Sequence, residues 1–535
     1  MPAAAPSSAR DRVALYVLQA GAIAIVLIAM PYKAFDLDRY FVPKELVLHL
    51  CASIAAVRII AKRGRITMRS IDILLALFLI ESAISAVFAA NGWAAERALA
   101  ISISGTALFW VASSLGRSGS SRPLVVALAV AVVAASATSL AQAYGVQSEY
   151  FSLNRVPGGT FGNRNFVAHL AAIGAPVVML VALTAPRGLG SVFAAISMAI
   201  VSATLFLSRS RAAWLAVIAV AIVVGVLGKI SWSRWSDSRT IRRILVLGIA
   251  AAAGVLGAVM LPNHLDWKSN SPYLDSAAGL VNYKEGSGRG RIVQYTNSLK
   301  MTRAHPLFGV GPGNWPVVYP KFASRNDPSM SQSAEGVTSN PWPSSDWAAF
   351  VSERGFIGFG LLLLVFLGLT IRAIRDFREG GGRDPERVLT PIALLGTLVA
   401  TAVVGAFDAV LMIAVPTFFV WTLAGALRSP TGGAEVEVRV PRFVAPVAAV
   451  IAIIVIGRSA GQAGAIAMAS TSTSLGSLVR STVLDPGNYR LRNRLAQTYI
   501  GRGDCTRARP EARAARDLFP SAAEPKRYIA QCGGR

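Results

Sequence analysis

Four stretches carry side chains whose types and spacing could do chemistry. In LSRSRAAWLA, Arg209 and Arg211 stand two residues apart, squeezed between two apolar runs. Arginine near bilayer depth is costly and its planar fork suits phosphate oxygens, so this pair could neutralise a diphosphate headgroup; snorkelling to ordinary lipid phosphates is the competing reading. In RVPGGTFGNRNFVAHL, Gly158, Gly159 and Gly162 allow the backbone to approach a ligand closely. Asn163 and Asn165 then offer amides at the mouth of a helix whose free N–H groups favour an anion, and ordinary turn and N-cap chemistry also accounts for them. A third stretch, RIVQYTNSLKMTRAHPLFGVGPGNW, supplies Arg291, Lys300, Arg303 and His305. A histidine beside a proline serves either as a base or as a structural hydrogen-bonding residue. The fourth, SNPWPSSDWAAFVSERGFIGFG, holds Asp346 and Glu353, which share nearly one helix face and could line one cavity. A carboxylate near a dry boundary can have its pKa raised into a range useful for proton transfer, which suits Asp346 to a base; capping the following helix is the plain alternative. For Glu353 that alternative is a polar contact between helices.

The elements that must position these residues follow from composition. Of 535 residues 53% are hydrophobic and 15% charged, with a mean hydropathy of +0.51, which is more apolar than a soluble domain can bury. The class is all-α, a polytopic integral membrane bundle. A bilayer core of about 30 Å needs roughly 20 apolar residues per helix. Thirteen windows meet or nearly meet that length: 13–30, 41–60, 71–90, 97–115, 123–144, 165–184, 189–208, 211–228, 241–262, 347–371, 389–409, 411–427 and 441–457. The first is followed by Pro31 and Tyr32 rather than by a small-residue cleavage site, so it reads as a retained helix.

The net charge of +25 would suit a nucleic-acid partner. With the N-terminus inside, however, the basic residues, from Arg10, Arg12, Lys62, Arg63 and Arg69 to Arg428, Arg439 and Arg442, fall in alternate connections. That is the positive-inside asymmetry of a multi-pass membrane protein, and no nucleic acid is expected. With the N-terminus cytoplasmic, an odd number of spans places the loop 263–346 and the tail 458–535 outside. No Cys and His spacing resembles a metal site, and no cofactor is expected. Cys51 lies in an apolar run; Cys505 and Cys532 lie in the external tail, where a disulfide and two free thiols are both open.

Residues 1–457 therefore form the transmembrane bundle, interrupted by the 263–346 loop, whose length itself suggests function. Within it, Ile292, Tyr295 and Leu299 space a short surface helix over 291–304, and the glycines of LFGVGPGNW dictate a tight turn. The tail reads as a helical hairpin: Leu491, Leu495 and Tyr499 make one face, Gly501 and Gly503 break it, and a second helix runs from Ala508 to Leu518. Its LDPGN, helix, turn, helix, FP pattern resembles one tetratricopeptide unit, suited either to packing on the bundle or to docking a partner.

GTFGNRN ahead of one apolar run, SRSRAAW between two, QYTNSLKMTRAHPLFGVGPGNW in the long loop and SERGFIGFG at the next run stand in this order on one membrane side. In that set the chain resembles the O-antigen ligase and polymerase superfamily, which also includes bacterial protein O-oligosaccharyltransferases. The resemblance covers roughly 70–425 and is strongest between 155 and 360. It implies a metal-independent glycosyltransferase that moves a glycan from an undecaprenyl diphosphate carrier to a lipid, sugar or protein hydroxyl on the outer face of the bacterial inner membrane. Arg209 and Arg211 would then bind the diphosphate and stabilise it as it leaves, with Arg291 as a loop-borne assistant.

One departure stands out. The family's loop ends in a pattern like His-Asn-Asp-Tyr before a helix containing Glu-x-Gly-x-x-Gly, and its histidine prepares the acceptor hydroxyl. Matching Glu353, Gly355 and Gly358 puts Ser344 at the histidine position, Ser345 at the asparagine and Asp346 at the aspartate. Either Asp346 or His305 supplies the base, or the chain binds glycolipid without transferring it. Two other classes remain: a transporter of lipid-linked glycan, whose usual internal repeats are not visible here, and a catalytically silent scaffold that docks an envelope protein through its tail.

Overall fold

The computed structural model describes residues 9–35, 37–61, 65–186, 188–267, 269–279, 286–380, 385–429, 435–472 and 474–533. Lys62 and Arg63 of the basic set lie outside the described residues, as does the side chain of Arg10. Each of the thirteen apolar windows is a helix: α1 (Ala9–Leu27), α2 (Asp38–Ile60), α3 (Ser70–Val87), α4 (Gly92–Arg117), α5 (Ser121–Ala143), α6 (Arg164–Leu183), α7 (Leu189–Leu207), α8 (Arg211–Ile230), α9 (Ser238–Met260), α10 (Asp346–Glu379), α11 (Pro385–Phe407), α12 (Ala414–Leu427) and α13 (Val444–Thr471). The fold is an all-α membrane bundle. One antiparallel two-stranded ribbon, β1 (Arg65–Met68) with β2 (Val436–Arg439), ties the α2–α3 and α12–α13 connections together.

Eleven of the described helices are long and apolar enough to cross a membrane. The two expected spans outside that set are α1, whose first turn is charged, and α12. At 14 residues, α12 reaches only about 21 Å at ~1.5 Å per residue. All of its residues are buried, packed among α1, α2, α4, α5, α6 and α11. Hydropathy cannot separate a helix enclosed by protein from one facing lipid, which is why the sequence reads α12 as an ordinary span. At the tail, α13 runs on to Thr471, and four helices follow rather than two: Leu475–Leu484, Tyr489–Gly501, Cys505–Leu518 and Ala523–Gln531. Leu491, Leu495 and Tyr499 do form one face, which packs with Phe35 and Val42 of the bundle. Cys505 and Cys532 are joined as a disulfide.

The connections gather at two ends. At one, arginines donate to carbonyls at helix C-termini: Arg122 to Thr184 (2.8 Å), Arg243 to Leu183 and Ala185 (2.5 and 2.6 Å), and Arg234 to Phe377 (3.0 Å). Positive charge thus meets the negative ends of helix dipoles. At the other end the long loop, the tail and the remaining connections interlock. Asn91 Nδ2 donates to Leu518 O (3.0 Å), the His264 N–H to Ala143 O (2.9 Å) and the Ala523 N–H to Glu335 O (3.0 Å).

The loop is fixed by a break in α10. Gly355 adopts φ 64° and ψ −170°, so α10 is two helices meeting at a kink. The loop turn docks into the gap. The Phe356 N–H donates to Pro306 O (2.8 Å), while the N–H groups of Val310 and Gly311 donate to Ser352 O and Glu353 O (3.0 and 2.9 Å). A Cβ on Gly355 would stand 2.1 Å from Leu307 O, and one on Gly309 2.3 Å from the Glu353 carbonyl carbon. Only glycine fits at either position, on steric grounds and because both have positive φ. Gly355→Ala is expected to cost at least about 1–3 kcal/mol, whereas Gly360→Ala, where nothing lies within 4 Å of the new methyl, should be neutral or slightly stabilising. Thermal unfolding of the two variants in nanodiscs measures the difference.

Candidate functional site

The site is built on the C-terminal end of α11. The last carbonyls of a helix have no intrahelical partner, and here three side chains supply donors. Ser345 Oγ donates to Gly405 O (3.1 Å), Tyr295 OH to Ala406 O (2.6 Å) and Arg291 Nε to Phe407 O (3.2 Å). Just beyond, Asp346 accepts the N–H groups of Val410 on Oδ1 (2.9 Å) and Leu411 on Oδ2 (2.8 Å). The irregular segment 408–413 is therefore held from both sides, as backbone at membrane depth must be.

This segment presents Asp408 to α6. Asp408 Oδ2 lies 3.9 Å from His169 Nε2, which is also 3.4 Å from Ser210 Oγ. His169 is fully buried and its Nδ1 has no hydrogen-bond partner, whereas the Asp408 side chain keeps 18% of its surface exposed.

Cations surround this pair. The α7–α8 turn is so short that Arg209 takes a left-handed conformation (φ 53°), Nε bonding to Ser276 Oγ (2.9 Å) and the guanidinium lying 4.5 Å from the Trp267 ring centre. Arg164, in the first turn of α6, lies 5.6 Å from the same ring. Arg211 opens α8 and donates to Gly279 O (2.5 Å). Arg211 and Arg291 are near enough for each charge to be felt by the other, as are Arg164 and Arg209. Burial holds Arg209 below the usual arginine range, against the opposing pull of Tyr273 and Asp275. Arg164, Arg209 and Arg291 make no ion pair with a carboxylate among the described residues. Burial likewise raises the Tyr295 phenol, so it remains a hydrogen-bond donor.

The structure thus brings Arg209, Arg211 and Arg291 to one cleft. Asn163 stands at its edge as the α6 N-cap, its side chain accepting the Asn165 N–H (3.0 Å), and Asn165 is half-buried in the first turn. His305 is exposed at the end of the loop helix Gly286–Ala304. The α10 N-cap is Ser345, accepting from the Ala348 N–H, rather than Asp346. Glu353 is fully buried, and its carboxylate accepts the N–H groups of Gly313 (2.8 Å) and Trp315 (3.1 Å). Asp346 and Glu353 therefore grip two different backbone segments and do not share a cavity. At Ser344, where the family's histidine would stand, the backbone N–H donates to Gln294 (2.5 Å) and the carbonyl accepts from Tyr295 OH (3.1 Å).

Sequence reasoning passed over Arg164, His169, Asp408 and Trp267. For His169 and Asp408 the signal was present, an ionisable residue inside an apolar run, which is a functional-site hypothesis by default.

An all-α bundle with an arginine-rich cleft at one end is the frame of a polytopic membrane protein whose cleft suits an anionic group. Residues 193–365 match the family model described as O-antigen ligase, a match that supports kinship with the O-antigen ligase and polymerase superfamily. No curated protein matches the chain. The match supports a bacterial multi-pass membrane protein with a glycosyl-transfer role in polysaccharide assembly, which implies a lipid-linked glycan donor and an acceptor. It spans Arg209, Arg211, Arg291, His305, Asp346 and Glu353; His169 and Asp408 come from outside it.

If Asp346 is a backbone clamp, Asp346→Asn substitutes an amide for one of two acceptor oxygens facing N–H groups. The expected result is a loss of stability of roughly 1–3 kcal/mol, read by thermal unfolding. Lost turnover with unchanged stability would instead mark it as a reacting group.

Proposed function

We propose that the arginine cleft binds the diphosphate of a polyisoprenyl, undecaprenyl-type carrier and that the chain transfers its glycan to an acceptor hydroxyl. In this reaction the acceptor oxygen attacks the anomeric carbon, the bond from that carbon to the phosphate oxygen breaks, and the diphosphate leaves with the electron pair. Arg209, Arg211 and Arg291, joined by Arg164, stabilise the charge that develops on it; Asn163 and Asn165 border the cleft at the start of α6. Arginine charge of this density does the electrostatic work without a metal.

Asp408, oriented by His169, takes the hydroxyl proton in place of the histidine that Ser344 replaces. Asp346 and Glu353 act as positioning residues, and exposed His305 is the comparison base. This end of the bundle faces outward, because the arginines that cap helix C-termini mark the other end as cytoplasmic. The N-terminus is then cytoplasmic and the tail external. The observation that carries the reading is the convergence of three sequence-distant arginine sites on a His–Asp pair.

Removing one such electrostatic contact typically costs about 100-fold in rate or more. Arg211→Ala and Arg291→Ala should each slow turnover of a labelled undecaprenyl diphosphate glycan by that order, with donor accumulating on the outer face of the membrane. Accumulation on the inner face would indicate a transporter. Asp408→Asn should abolish transfer while leaving donor binding within about twofold, and His305→Ala should have little effect. Unchanged turnover in all four variants would leave only a glycolipid-binding scaffold.

A further inference from the structure

A cavity of about 300 Å³ lies apart from the arginine cleft, between α2, α4, the loop segment 337–342, α13 and the tail. That is the lower size range of small-ligand sites. Four buried polar atoms of its lining residues have no hydrogen-bond partner: Arg354 Nη1, which lies 3.6 Å from Glu353 Oε2, and three on the side of α13 and the tail, Arg458 Nε, Gln462 Oε1 and Tyr489 OH. Gln462 is 7% exposed, so its orphaned oxygen cannot turn to bulk water. Buried polar groups are almost always satisfied, and three orphans on one wall mark positions where a ligand supplies the partners. Between them they offer a donor, an acceptor and a hydroxyl that is both. Burial pushes the Tyr489 phenol up to about 12, so it keeps its proton.

The charges on the wall are already answered. Arg97 holds Glu45 through two hydrogen bonds (2.8 and 2.9 Å), and Arg458 bonds to Glu96 and to the Trp93 carbonyl. Asp38 and Asp485 also line the cavity, as do Arg354 and Arg490, so the wall carries mixed charge rather than the arginine cluster of the cleft. The indole faces of Trp93 and Trp342 suit the C–H surface of a sugar.

Trp342 packs edge-on to Phe166, which packs edge-on to His169 (6.3 Å between ring centres in each case). Leu411 and Met412, just beyond Asp408, also line the cavity. A ligand here therefore lies against the aromatic row and the backbone segment that also hold the proposed base, without occupying the diphosphate site.

We infer that this cavity, completed by the C-terminal tail, binds a neutral, hydroxyl-rich segment of the acceptor glycan. Naming the ligand as the acceptor rests on the glycosyl-transfer reading; the prediction of sugar binding does not.

The test uses full-length protein in lipid nanodiscs, which avoid glycoside detergents, on an array of bacterial surface oligosaccharides. Wild type should retain at least one array glycan, and Arg211→Ala should retain it equally. The Gln462→Leu/Tyr489→Phe double variant should bind it at least tenfold more weakly. Its thermal unfolding should be unchanged or raised, because orphaned polar atoms have been removed. A wild type that retains no glycan above the double variant overturns the inference and leaves a water-filled cavity. Loss of binding in Arg211→Ala also overturns it, by placing the sugar in the cleft. Glycan retained by a wild type that turns over no donor supports the site and removes the transfer reading.

Discussion

The break at Gly355 is the constraint on which the loop-bearing end of the protein depends. A helix crossing a membrane satisfies its own backbone, so an interruption leaves groups that something else must bond. Here the turn 306–311 does so, and no side chain can stand between the two backbones. Glu353, immediately before the break, then holds the next part of the loop through Gly313 and Trp315. From that anchor the loop builds its own small core around Met301, Val310, Trp315 and Tyr319. The loop helix is thereby presented to the end of α11.

Two carboxylates and two hydroxyls thus do architectural work at a site whose proposed chemistry needs a carboxylate of its own. Asp346 and Glu353 neutralise backbone donors, and Ser345 and Tyr295 neutralise backbone acceptors. Asp408 remains, with its neighbour's N–H on Oδ1 and His169 facing Oδ2 as its partners among the described residues. The contrast is between groups saturated by the fold and one left to face the cleft. The same logic separates the two sites: at the cleft Arg164, Arg209 and Arg291 make no ion pair with a carboxylate among the described residues, while the tail-roofed cavity gathers ion pairs with spare hydrogen-bonding atoms around them.

Much of the frame was legible. The apolar windows located all thirteen helices to within a few residues at most ends, because exclusion from water forces long apolar runs into self-bonded helices. The arginine pair, the glycine turn and the GNRN stretch were legible for a similar reason: each is a local departure from what an apolar environment tolerates. The proposed base was not. The resemblance puts Ser344 where the family's histidine stands, but the proposed replacement, drawn from α6 and the α11–α12 junction, is separated from it by more than a hundred residues on one side and by a helix pair on the other.

By itself, then, the sequence determined a membrane-bound helical bundle, the uneven distribution of its charge and the residues rigid or cationic enough to matter, since these follow from local interactions with water and lipid. The tertiary structure alone decided that α12 is enclosed and that the Asp346 and Glu353 carboxylates accept backbone N–H groups of two different segments. It also decided that Asp408 meets His169 and that the tail closes a cavity. Hydrogen-bond saturation and through-space charge depend on neighbours that no local pattern in the chain encodes.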